Sequence, residues 1–104
     1  MRRGTTFVNH RINSCVCTPS RSVIYTGQHI QQTRMFDNTN FAWIDELSHE
    51  VPTIGQMLRD QGYYTAFKGK WHLSEVPLSE DGLERYGFRP LEAVITAIDK
   101  GLKP

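Results

Sequence analysis

Apolar and polar positions along the 104 residues sort into short helical and extended stretches joined by polar connections. Ile54, Met57 and Leu58 recur on one helical face behind Pro52-Thr53, which predicts a helix that Gly62 ends at the C′ position. Tyr63 to Phe67 is β-prone and predicts a strand delivering Lys68-Gly69-Lys70-Trp71-His72 at its C-terminal end. A helix feeding a buried strand is half of a parallel α/β unit, and such sheets place ligands beyond the carboxyl ends of their strands. Upstream, Thr5 to Asn9 has strand character, and His10 to Val16 is a polar approach. Pro19 to about Thr26 reads as a helix with Thr18 as N-cap, Pro19 in the first position, Gly27 past the end, and Val23 and Ile24 on the buried side. Residues 28–50 show no clean period. Asp37-Asn38-Thr39-Asn40 is turn chemistry, with Phe41, Trp43 and Ile44 expected to pin the loop to a surface. Glu75, Pro77, Ser79, Glu80 and Asp81 read as an exposed connection. Leu91, Val94, Ile95 and Ile98 then predict an amphipathic terminal helix stopped by Gly101 and Pro104. The fold class is α/β.

Composition narrows the function more than the fold. The length permits one domain at most. Twelve Lys and Arg against eleven Asp and Glu give a net charge of +1. That balance argues against a nucleic-acid platform or a polybasic membrane anchor, so the positive charge that matters is local. No apolar run approaches transmembrane length. Met1-Arg2-Arg3-Gly4 is basic but no apolar signal core follows, so the chain as it stands carries no export signal and reads as cytoplasmic, with a periplasmic place left open for a longer parent. The two cysteines, Cys15 and Cys17, are one residue apart. A disulfide that tight is strained, and no second ligand cluster supports zinc.

The candidate chemistry centres on Cys17-Thr18-Pro19-Ser20-Arg21. Cys17 lies where unpaired backbone N–H groups and the positive end of a helix converge, a place that holds anions. Arg21, one turn on, adds a planar, permanently charged fork suited to a tetrahedral oxyanion. Lys70 and His72 fall at the predicted strand end. Either alone is more often a solvated charge or a packing residue. Alternation turns Trp71 away from both and toward a core. His10, His29 and His49 have no partner at useful spacing and read as surface or capping residues, and Ser20 and Thr26 as helix hydrogen-bonders.

From about Phe7 to Phe88 these segments resemble the formylglycine-dependent, arylsulfatase-like sulfatases. The Cys17 segment is similar to the family's first motif, and Gly62 to Leu73, with Gly69-Lys70-Trp71-His72, to its second, in the right order and at a fitting separation. Tyr86-Gly87-Phe88 still resembles family text. The resemblance implies a partial alkaline-phosphatase-like domain, a parallel-sheet fragment with helices, in which residues 1–88 belong to the N-terminal catalytic region and 89–104 form a divergent tail. It implies hydrolysis of a sulfate ester, on a small molecule or sulfated sugar, through a covalent sulfo-enzyme intermediate. Cys17 would become formylglycine under a formylglycine-generating enzyme that reads Cys17, Pro19 and Arg21. Arg21 would steady the hydrated aldehyde, Lys70 would contact both aldehyde and sulfate, and His72 would bond the aldehyde hydroxyl. The implied cofactor is calcium, for which only the modified Cys17 matches a ligand. The family's aspartate pair, Asp-Asn pair, and later histidine and lysine have no match in these residues. The 104 residues are therefore expected to be a fragment, insufficient alone for turnover. A phosphate or phosphonate ester hydrolase, or a non-catalytic binding module, are the alternatives.

Overall fold

The structure is a computed structural model and describes residues 3–75 and 80–103. Helix α1 spans Cys17–Thr26, α2 Ile30–Thr33 and α3 Ile54–Arg59. Strand β1 (Ala66–Phe67) is followed by α4 (Glu80–Glu84), β2 (Arg89–Pro90) and α5 (Leu91–Asp99). The two strands pair in parallel, Ala66 with Arg89 and Phe67 with Pro90. A small α/β arrangement results, with α1, α3 and α5 packed about it.

The core is aromatic. Phe67, Trp71, Leu73, Leu83, Tyr86 and Phe88 are buried together with Met35 and Leu47, and Tyr25 of α1 packs against them. Trp71 is the hub: its ring centroid lies 4.9 Å from Tyr86, 5.1 Å from Tyr25 and 5.5 Å from Phe67. Tilted and edge-on pairs of this kind add about 0.5–1.5 kcal/mol each beyond the area they bury. The Trp71 indole N–H donates to Ser74 Oγ at 3.0 Å, and the Tyr86 hydroxyl donates to the Leu47 carbonyl at 2.8 Å. Both polar tips are therefore satisfied inside the core.

Helix α3 starts with a reciprocal cap. Thr53 accepts the Gln56 N–H, and Gln56 Oε1 accepts the Thr53 N–H at 2.8 Å, which satisfies two donors that helix starts leave open. The Thr53 hydroxyl also donates to the Tyr86 carbonyl. The helix is turned differently from the periodicity. Ile54, Met57 and Leu58 face outward, and the buried contact is Gly55. A Cβ at Gly55 would lie 2.6 Å from the Gly87 carbonyl, and one at Gly87 would lie 2.2 Å from the Gln56 nitrogen. Backbone meets backbone here, so close approach outweighs the apolar stripe. α3 ends at Arg59 with Asp60 as its C-cap; Gly62, at φ +84°, closes the following turn by donating to the Arg59 carbonyl.

Other expectations change too. Thr5 to Asn9 forms no strand; Phe7 and Val8 are exposed, because β-propensity needs a partner edge to become a strand. In α1 the buried residues are Thr18, Pro19, Ser22 and Thr26, while Ile24 is exposed and Val23 only half-buried. Trp43 stacks on Phe41 at 4.6 Å but stays exposed, and Met35 and Leu47 anchor residues 28–50 instead. The predicted strand 63–67 shrinks to two residues, and its delivery of residues 68–72 stands. α5 forms as expected, though none of its residues is fully buried. Pro77 and Ser79 of the predicted connection, and the stop at Pro104, lie outside the described residues.

Candidate functional site

Helix α1 begins two residues earlier than its cap chemistry suggests. Val16 is the N-cap, at φ +71° and ψ 155°, and Cys17 is the first helical residue. Thr18 is therefore not the N-cap but part of the first turn. The far end is as expected: Gly27 adopts a left-handed conformation and its N–H donates to the Val23 carbonyl, which suits a residue without a Cβ.

The first turn of α1 is tied to two distant segments. The Thr18 N–H donates to Asn38 Oδ1 at 3.0 Å, and the Thr18 hydroxyl donates to the His72 carbonyl at 2.7 Å. The same hydroxyl accepts the Thr39 N–H at 3.3 Å. Arg21 Nη1 donates to the Lys70 carbonyl. Residues three apart share a helix face, so Thr18 and Arg21 grip the two carbonyls that flank Trp71. With Trp71 buried on the core side, Lys70 emerges toward α1. Its ammonium reaches Cys17 Sγ at 3.7 Å.

Cys17 and Lys70 are exposed, and Arg21 is half-buried, so the cations keep most of their hydration. Both cysteines are free and exposed. His72 sits at φ +55°, and its Nδ1 is buried with no hydrogen-bond partner among the described residues. Burial, and then the positive charges of Lys70 and Arg21, hold the His72 imidazole below its ordinary pKa. At neutral pH it is the uncharged ring. An open groove of about 420 Å³ runs beside Cys17, lined by Ile12, Val16, Ser20, Arg21, Ile24 and Tyr25. A second groove of about 360 Å³, at Arg59, Tyr63, Tyr64 and Arg89, holds none of these groups.

All four residues singled out in the sequence, Cys17, Arg21, Lys70 and His72, belong to this constellation. Cys17 meets Lys70 through its sulfur, and Arg21 meets Lys70 through the latter's carbonyl. His72 is joined to α1 through its main chain and Thr18. Sequence reasoning missed Thr18 in this role, and read Asn38 and Thr39 as turn formers alone. Asn38 stood within a turn-forming run, and nothing local to it announced a distant backbone partner. Chemically the arrangement offers an exposed nucleophile position, two cations and a neutral imidazole, a set suited to a compact oxyanion. Among the described residues no three of His, Cys, Asp and Glu gather where a metal ion could sit.

A family model described as Sulfatase matches residues 1–100. The chain is 37% identical to the choline-sulfatase of Rhizobium meliloti (strain 1021), over 68% of this chain and 13% of that protein. It is 36% identical to the human (Homo sapiens) steryl-sulfatase, over 67% of this chain and 13% of that protein. It is 32% identical to the ulvan-active sulfatase of Formosa agariphila, over 88% of this chain and 16% of that protein. The chain thus spans about a seventh of the length of such relatives. No solved structure matches it.

Proposed function

Because the chain belongs to the sulfatase family, we propose that its protein hydrolyses sulfate esters at the site around Cys17, with Cys17 converted to formylglycine. Once formed, the aldehyde's hydrate supplies the hydroxyl that attacks sulfur. The side chains around Cys17 act on the charge and the proton of that step. The Lys70 ammonium, 3.7 Å from the Cys17 sulfur, is the observation that carries the reading. These residues stand 53 apart in sequence, yet the fold sets a cation over the nucleophile position, where it can neutralise charge on the sulfate oxygens as the S–O bond breaks. Arg21 holds the Lys70 main chain and adds a second positive charge. His72, kept neutral by burial and by those two cations, can hold or take the proton of a hydroxyl at its unpaired Nδ1. That orphaned atom supports a polar group resident at the site.

The parallel pair β1–β2, with the site beyond the end of β1, is in keeping with an alkaline-phosphatase-like architecture, with residues 1–88 carrying the nucleophile and one wall of the pocket. Calcium is different. It takes six or more oxygen ligands, and the described residues bring no such set to Cys17, so no step here is routed through the ion. The names choline-, steryl- and ulvan-active sulfatase cover a small cation, an apolar ring system and a polysaccharide. The sulfate half of the substrate is thus what the family shares.

Co-expression with a formylglycine-generating enzyme, followed by peptide mass spectrometry, tests the assignment. Loss of the thiol mass at Cys17 is expected, with p-nitrophenyl sulfate preferred over p-nitrophenyl phosphate in any hydrolysis. Conversion at Cys15, or at neither cysteine, overturns the assignment of Cys17. Preference for the phosphate ester overturns the sulfatase reaction.

A further inference from the structure

Thr18 behaves unlike the other hydroxyl residues of α1. The Ser22 hydroxyl donates to the Pro19 carbonyl, and the Thr26 hydroxyl to the Ser22 carbonyl. Both are local bonds of the kind these side chains make inside helices. Thr18, with no exposed surface, sends its hydroxyl across 54 residues to the His72 carbonyl instead. It also accepts the Thr39 N–H and gives its own N–H to Asn38. Three segments distant in sequence, the start of α1, the turn at 38–39 and the turn at 72, therefore meet on one residue adjacent to Cys17.

From this convergence we infer that Thr18 is a positioning residue: its hydroxyl locks the first turn of α1 to the residue 70–72 segment and so sets the distance between Cys17 and Lys70. Arg21 grips the same segment at Lys70, but through a long, half-exposed side chain. A buried hydroxyl with a short reach leaves less play. Valine at position 18 keeps the shape and removes the hydroxyl, which leaves the His72 carbonyl and the Thr39 N–H without this partner. Unpaired buried groups drive local rearrangement. The role deepens the sulfatase reading and rests on it for its catalytic meaning, but the geometry is measurable on the unmodified thiol.

o-Phthalaldehyde joins a thiol and a primary amine into a fluorescent isoindole only where the two lie close together. In the full chain carrying Cys15→Ser, the reagent is expected to bridge Cys17 and Lys70, as read by fluorescence and by mass mapping of the linked peptides. Lys70→Met should abolish that link. Thr18→Val should slow it by about tenfold or more, since small misplacements of reacting groups cost up to about a hundredfold, while Thr18→Ser should restore the parental rate. Circular dichroism reports whether each variant is folded. A folded Thr18→Val that links at the parental rate overturns the inference, and so does a folded Thr18→Ser that links as slowly as the valine variant. If Thr18→Val does not fold, Asn38→Ala decides: it removes the acceptor of the Thr18 N–H, slower linking supports the lock, and an unchanged rate overturns it. Failure of aldehyde formation at Cys17 with normal linking would count against the sulfatase reading and not against Thr18.

Discussion

Val16 holds φ +71° and ψ 155°, a region that is close to glycine-only and costs other residues on the order of 1–3 kcal/mol. The cost is greatest for a β-branched side chain. The conformation persists because Thr18, two residues on, is held by its bonds to residues 38, 39 and 72. Val16→Gly is expected to raise stability by about 1 kcal/mol, the lower end of that strain; urea denaturation measures it, and an unchanged or lower midpoint would show that the strain is relieved in some other way. For Lys70 the proposed function predicts the opposite kind of contribution, to chemistry and not to folding. If the whole protein hydrolyses sulfate esters as proposed, Lys70→Ala should cut kcat by about a hundredfold, the usual cost of one preorganised donor to an oxyanion. Steady-state kinetics with circular dichroism as the fold control checks this, and a rate within about twofold of the parent would remove Lys70 from the site.

Between elements, one carboxylate joins α3 to β2. Glu84 at the end of α4 accepts from Arg59 of α3 and, at 2.8 Å, from Arg89 of β2. Burial alone would raise this carboxyl, but the hydrogen bonds and charges of Arg59 and Arg89 outweigh it and hold Glu84 below the ordinary value of 4.5. A carboxylate depressed in the folded state stabilises it fully above the unfolded pKa, and that contribution is lost as pH falls through the folded value. Glu84→Gln should therefore weaken the protein at pH 7 and flatten the acid limb of its stability profile below about pH 4.5. The side chain remains 32% exposed, so the effect at pH 7 should stay within about 1 kcal/mol. Thermal unfolding of both proteins across pH 3–7 measures it, and parallel acid limbs would discount the bridge.

Over the whole molecule, the grouping of the candidate residues was more legible in the sequence than the packing. Cys17, Arg21, Lys70 and His72 could be picked out because each sits in a short, distinctive run, and the strand that leads to Lys70 was visible as a β-prone segment behind a helix. The buried faces of α1 and α3 were not legible. Periodicity presumes that apolar residues face inward, whereas here the inward faces are Thr18, Ser22 and Thr26 in one helix and Gly55 in the other, chosen by hydrogen bonds and backbone contact with residues far away in sequence. Trp71 shows both sides. Alternation predicted its inward direction, but not that four aromatic rings would converge on it. Trp71→Ala should cost about 3–5 kcal/mol, much of the total for a domain this size. Loss of the cooperative thermal transition is the expected readout, and a small shift in midpoint would mean the hub is redundant.

The burial of Pro19 has a consequence in time. In the finished fold, Thr18 and Pro19 are withdrawn from the surface while Cys17 stays outside. The segment 17–21 is complete as soon as it is synthesised, whereas the grip on it waits for residues 70–72, more than fifty positions later. Closing so long a loop is slow compared with forming one helical turn. There is consequently an interval in the life of every chain when Cys17, Pro19 and Arg21 lie open together. Under the proposed conversion of Cys17, an enzyme that reads all three would have to act in that interval, before folding hides the proline and half-covers the arginine.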